Sequence, residues 1–105
     1  MTALATIVSD HLDEVRHLCV EHHVRRLELF GSAANGRFDS SASDLDFLVD
    51  FETLSPRDRA DAYFGLLAAL QDLFLREVDL VETEAVDNPY FRKAVDQQRT
   101  VLYAA

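Results

Sequence analysis

Apolar side chains recur at helical spacing in two stretches of the chain. Over residues 4–23 they return every three or four positions, with mostly charged side chains between them, which predicts one amphipathic helix. Ser55 precedes a proline, with an acid three positions on, which is typical of a helix start, and the apolar stripe continues to about Leu75. Tyr63 and Phe64 belong to that stripe, so we expect both in the core.

Three shorter runs have the pattern of β-strands. In residues 44–51 apolar and acidic side chains alternate almost throughout, which predicts a strand with one buried face. Residues 25–30 and 77–81 predict two further strands. Residues 32–36 are expected to form a single helical turn, and a last helix is expected to open at Asn88, beside a proline.

The lengths of the connections predict how these strands pair. The first two strands are joined by a short segment, which favours an antiparallel pair, whereas a full helix joins the second to the third and suits a parallel crossover. The predicted fold is therefore α/β, of the α+β kind, with a three-stranded mixed sheet. We expect the helices to pack mainly on one face of that sheet and to leave an open acidic face on the other.

Composition narrows the class of protein. A chain of 105 residues, 49% of them hydrophobic, predicts a single folded domain over residues 1–105. Its one cysteine excludes an internal disulfide framework, and no apolar run approaches the roughly 18 residues of a membrane span. We therefore expect a cytoplasmic protein. The net charge of −9 argues against direct nucleic-acid binding, although a metal ion could still bridge the chain to a small polyphosphate.

The acidic face holds the candidate chemistry. Asp44 and Asp46 are two positions apart on one strand, so both side chains leave the same face, and Asp79 would join them if the third strand pairs in register. At about 5 Å and an effective dielectric near 20, each pair of carboxylates repels by roughly 3 kcal/mol. A cation would relieve that repulsion, and carboxylates with water are the ligands that Mg²⁺ prefers. The alternative is that these acids form only the solvated face of a sheet.

Gly31 and Ser32 follow the first strand and suggest a phosphate site. A glycine at a strand end, opening a helical turn, lets backbone N–H groups approach a phosphate closely, and the serine hydroxyl can add a donor. By itself this dipeptide is typical of an ordinary turn. Here it would face the Asp44–Asp46 strand, so a phosphate cradle and a metal-binding pair would lie opposite each other.

The order of these motifs resembles the minimal nucleotidyltransferase (MNT) family, within the DNA polymerase beta-like superfamily. Its signature is Gly-Ser, a spacer, Asp-x-Asp and a third Asp on a later strand, which this chain matches in residues 31–36, 43–49 and 78–81. The resemblance covers nearly the whole chain from Arg26 onward.

The chain departs from this family pattern at two points. Asn35 stands where an arginine is usual, which removes a positive charge that could touch a triphosphate, and the spacer is about a residue longer than the commonest form. Arg37 could supply the missing charge.

The resemblance implies a mechanism and a set of site residues. Asp44 and Asp46 would hold Mg²⁺ (or Mn²⁺) on the triphosphate of ATP, and Gly31 and Ser32 would bind the outgoing phosphates. Asp79 would help to bind metal near the acceptor and take its hydroxyl proton. All three aspartates are thus expected to be catalytic and metal-binding.

The resemblance also implies a partner. Family members of this size resemble antitoxins that transfer AMP to a tyrosine of a HEPN ribonuclease toxin, and an acidic chain suits a protein acceptor better than RNA. Two alternatives stay open: an antitoxin that neutralises its toxin by binding alone, and a transferase for a small molecule that another subunit completes.

Overall fold

The helices and strands were obtained from a computed structural model, which describes residues 6–31, 44–83 and 99–105. In chain order they are α1 (Thr6–Ser9), α2 (Leu12–Glu21), β1 (Val24–Phe30), β2 (Leu45–Phe51), α3 (Pro56–Phe74), β3 (Val78–Glu82) and β4 (Thr100–Ala104). The turn predicted over 32–36 and the helix predicted from Asn88 lie outside the described residues.

The long helix α3 begins as its sequence predicts. The Ser55 hydroxyl oxygen accepts a hydrogen bond from the Asp58 backbone N–H at 3.2 Å, and Pro56 occupies the first helical position. The helix ends at Phe74, and the next residue, Leu75, adopts the left-handed conformation with φ 53°. In the described ranges, neither α3 nor any other helix is long and apolar enough to cross a membrane.

The first predicted helix is interrupted, so the expectation of one continuous helix was wrong. His11 has φ −120° and ψ 19° and separates α1 from α2. Its backbone N–H donates to Val8 at 3.0 Å, so the Ile7 carbonyl loses its usual helical donor, and the His11 ring Nδ1–H donates to that carbonyl at 2.8 Å. Apolar spacing continues through this break, which is why periodicity alone does not detect it.

The sheet has the strand order β3-β2-β1-β4. Strands β1 and β2 are antiparallel and β2 and β3 are parallel, as the connection lengths predicted. The fourth strand, β4, was not predicted, because the short apolar run at the chain end shows no clear alternation. It pairs antiparallel with β1, so the sheet is mixed and has four strands instead of three.

The helices that the structure describes pack on one face of the sheet, as expected. Their buried side chains form one core with alternate residues of the strands, and its largest fully buried members include Phe47, Leu27, Leu29, Leu66 and Leu70. The other face was expected to be openly acidic, but it also carries a small apolar cluster. Phe30 and Leu48 are buried there and Val81 packs against them, so the acidic positions flank an apolar patch.

Candidate active site

Two aspartates are neighbours on the parallel pair of strands, β2 and β3. Asp46 on β2 is the register partner of Asp79 on β3. Their neighbours Leu45, Phe47 and Leu80 point into the core, so the two carboxylates leave the opposite face of the sheet. Because neighbouring strands lie about 4.8 Å apart, this register makes the two side chains direct neighbours.

Asp44 lies immediately before β2 and completes the acidic group. It is exposed and stands two positions from Asp46 along the same strand direction. Burial, and then the negative charges of Asp79 and Asp44, raise the pKa of Asp46 from 3.8 to about 6. The structure therefore places Asp44 and Asp79 close enough to Asp46 for their charges to act on its carboxyl group.

Gly31 directly follows β1 and lies against the Asp46 side chain. Its φ is +73°, in the left-handed region that favours glycine, and a Cβ built on it would lie 2.5 Å from Asp46 Oδ2. A side chain at this position would therefore collide with the Asp46 carboxylate. The glycine that begins the candidate phosphate cradle is in close contact with the central aspartate, whereas Ser32, Asn35 and Arg37 lie outside the described residues.

The paired carboxylates suit a Mg²⁺ ion that is held jointly by the protein, water and a substrate phosphate. In the described part of the chain, no three His, Cys, Asp or Glu side chains form a ready-made metal cage. Mg²⁺ commonly keeps several waters and is held by one or two carboxylates together with substrate phosphates. Asp46 and Asp79, which are register partners beside Gly31, offer carboxylate oxygens for this mode of binding. The two negative charges repel each other, and a bound cation would relieve that repulsion.

Sequence reasoning missed a buried carboxylate on the same face. Glu28 on β1 is only 4% exposed; Arg26 Nε donates to its Oε1 at 2.7 Å, and Arg99 Nε lies 3.2 Å from its Oε2. Its position between two core leucines could have placed it on the acidic face. The pairing with Arg99, 71 positions further along the chain, depends on tertiary structure.

Helix α3 contacts the outer side of β3, close to Asp79. The Tyr63 hydroxyl donates to the Leu80 carbonyl at 2.6 Å, and Arg59 donates to Glu82 at 2.8 Å. Phe64 beside them is 66% exposed, so the expectation that it lies in the core was wrong. Tyr63 is half-buried and packs against the core, and both rings line an open groove of about 550 Å³ between α3 and β3.

Comparisons with known proteins relate this chain to nucleotidyltransferases. Residues 13–105 match the family model described as polymerase beta, nucleotidyltransferase. The candidate protein adenylyltransferase MJ0128 of Methanocaldococcus jannaschii is 32% identical over 77 residues, which are 73% of this chain and 74% of that protein.

Two solved structures share the fold. A toxin–antitoxin crystal structure with AMP-PNP is 22% identical, with a TM-score of 0.66, and the match covers 90% of this chain and 73% of that chain. A tri-AMPylated HEPN toxin in complex with an MNT antitoxin, from Shewanella oneidensis, contains a chain that is 22% identical, with a TM-score of 0.57. That match covers 92% of this chain and 72% of the other.

Proposed function

The chain belongs to the polymerase beta nucleotidyltransferase family, and from this premise we propose that it is a Mg²⁺-dependent protein adenylyltransferase. It would act as an antitoxin that transfers AMP from ATP to a tyrosine of a HEPN-type toxin. The register pairing of Asp46 with Asp79, against Gly31, is the observation that carries this proposal. The AMPylated HEPN toxin beside an MNT antitoxin supports the choice of acceptor.

In this proposal the carboxylates have different roles. Asp44 and Asp46 would hold Mg²⁺ on the triphosphate, with Asp79 as a further ligand on the acceptor side. The ion supplies charge neutralisation at the reacting phosphate and at the departing pyrophosphate. Gly31 leaves room for the phosphates to approach the backbone, and Ser32 and Arg37 are proposed to bind them as well.

The bonds that change are those of a nucleotidyl transfer. The tyrosine oxygen forms a bond to the α-phosphorus of ATP, and the bond from that phosphorus to the bridging oxygen of the β-phosphate breaks, releasing pyrophosphate. Asp79 accepts the tyrosine hydroxyl proton. Proton transfer to a positioned group of this kind contributes about 10²–10⁴-fold to a rate.

The test uses as acceptor a HEPN-type protein, the toxin that the proposed pair requires. The chain, that protein, ATP and Mg²⁺ are incubated together, and the acceptor is weighed by intact-mass spectrometry. We expect additions of the mass of AMP that disappear with Asp46→Asn. Asp50→Asn is the matched control, because Asp50 lies on the same strand but is held by Arg25 at 2.6 Å, and it should keep the additions.

One result would favour the binding-only antitoxin instead. The acceptor would remain unmodified yet inhibited, and Asp46→Asn would inhibit it as well as the unmodified chain does. AMP transfer to a small molecule, with none to the protein, would support the transferase chemistry but overturn the proposed acceptor.

A further inference from the structure

The strand that carries Asp79 lies at an edge of the sheet. In the sheet that the described residues form, β3 is the terminal strand, is five residues long and pairs with β2 alone. An edge strand has hydrogen bonds to a neighbouring strand along one side only, so its outer backbone groups need other partners. The placement of Asp79 opposite Asp46 therefore depends on what holds the outer side of β3.

Tyr63 provides such a contact one residue beyond Asp79. The Leu45 backbone N–H donates to the Glu77 carbonyl, and in a parallel pair the backbone groups of alternate residues face the partner strand. The backbone of Leu80 accordingly faces the outer edge. The Tyr63 hydroxyl donates to the Leu80 carbonyl at 2.6 Å, so this helix side chain takes the place of a neighbouring strand.

A second contact from the same helix face holds the end of β3. Arg59 precedes Tyr63 by one helical turn and donates to Glu82 at 2.8 Å, with both side chains largely shielded from solvent. Burial, and then the charges of Asp79 and Glu82, raise the pKa of the Tyr63 hydroxyl, so it stays protonated as a donor. The two contacts fix β3 from Leu80 to its last residue.

We propose that Tyr63 is a positioning residue for Asp79. The inference rests on the proposed function, because it takes Asp79 as the proton acceptor and a metal ligand. The hydroxyl fixes the peptide group between Leu80 and Val81, one residue beyond Asp79, and so restrains the position of the Asp79 carboxylate relative to Asp46. A misplacement of about 1 Å can reduce a rate by up to about 10²-fold, so one hydrogen bond at this peptide can affect the chemistry.

The first test is Tyr63→Phe, which removes the hydroxyl and keeps the ring. The turnover of AMP transfer should fall on the order of tenfold, with the KM for ATP nearly unchanged, because the phosphate-binding residues lie elsewhere. Tyr103→Phe is the matched control: Tyr103 also packs against the core, but on β4, and its variant should transfer AMP normally. Turnover of Tyr63→Phe within twofold of the unmodified chain would overturn the proposal, as would an equal loss in Tyr103→Phe.

The second test separates positioning from general stability and needs no acceptor. Mn²⁺ alone is titrated by electron paramagnetic resonance against the unmodified chain, Tyr63→Phe, Asp79→Asn and the double variant. Tyr63→Phe should weaken Mn²⁺ binding about threefold in the unmodified background and leave it unchanged when Asp79 is already Asn. An equal weakening in both backgrounds would show that Tyr63 acts without Asp79 and would refute the proposal.

This cycle also distinguishes the two proposals from each other. If no acceptor is modified but Mn²⁺ binding shows the coupling, the proposed acceptor chemistry fails and the positioning role of Tyr63 stands. If Tyr63→Phe does not fold, as judged by its thermal melt, Arg59→Gln is used in the same cycle. Arg59→Gln should weaken Mn²⁺ binding less than Tyr63→Phe would, and only when Asp79 is present. A weakening that does not depend on Asp79, or no weakening, would overturn the proposal.

Discussion

The two faces of the sheet are built by alternate residues of the same strands, but one face is a packed apolar core and the other carries carboxylates that repel each other. On β2, Leu45, Phe47 and Val49 are fully buried against the helices. Between them, Asp46 lies beside another carboxylate and has a pKa raised to about 6. Burying a large apolar side chain stabilises a fold by about 1.5–3 kcal/mol, so a few core residues offset the repulsion among the acids. A strand can therefore hold an unfavourable charged site because its other face is firmly packed.

The largest expected effect is on the packed face. Phe47→Ala should lower the free energy of unfolding by about 3–5 kcal/mol, because Phe47 is fully buried and stacks on Phe74 with ring centroids 6.1 Å apart. Urea denaturation of both proteins measures the difference. A loss of less than about 1 kcal/mol would mean that packing on the helix-covered face does not supply the stability that offsets the repulsion on the acidic face.

The next effect is at the junction of the two faces, where β1 ends. Gly31→Ala should lower the free energy of unfolding by about 1–3 kcal/mol, because alanine would have to adopt the left-handed backbone conformation that Gly31 has. It should also abolish Mn²⁺ binding, because the new Cβ would collide with Asp46 Oδ2. Denaturation and Mn²⁺ titration measure the two consequences. Gly65→Ala is the matched control: among the described residues its Cβ would meet the His22 side chain alone, and Mn²⁺ binding should persist.

The acidic face should respond to pH in the range set by Asp46. Its pKa of about 6 means that the carboxyl gains a proton as the pH falls below 6, and a protonated carboxyl is a poor metal ligand. Mn²⁺ affinity should therefore fall by up to about tenfold per pH unit below pH 6 and level off above it. Affinity that stays constant between pH 7 and pH 5 would contradict the raised pKa.

The smallest effect is a gain in stability without metal. The pKa of Asp46 is raised on folding, so the folded state binds more protons than the unfolded state between pH 3.8 and about 6, and ionised Asp46 destabilises the fold above that range. Asp46→Asn should raise the free energy of unfolding at pH 7 by about 1 kcal/mol after solvent screening, and the gain should vanish below pH 4. Urea denaturation at both pH values measures it, and a variant less stable than the unmodified chain would show that Asp46 is structural.

The parts of the fold that could be predicted are those whose signals lie within a few neighbouring residues. Alternation over β2 was enough to place Asp46 on one face, and Ser55 with the following proline was enough to locate the start of α3. The break at His11 was not predictable, because it depends on a side chain replacing one backbone donor while the apolar spacing continues unbroken.

The sequence by itself determined the residue types of the site, their order and the face on which each acid on a strand would lie, because strand alternation is a local property of the backbone. Only the tertiary structure decided that Asp46 and Asp79 share one register, that Glu28 pairs with Arg99, and that Tyr63 reaches the outer edge of β3. These contacts join residues far apart in the chain. Strand register, sheet order and helix packing set them together, and no local pattern encodes any of the three alone.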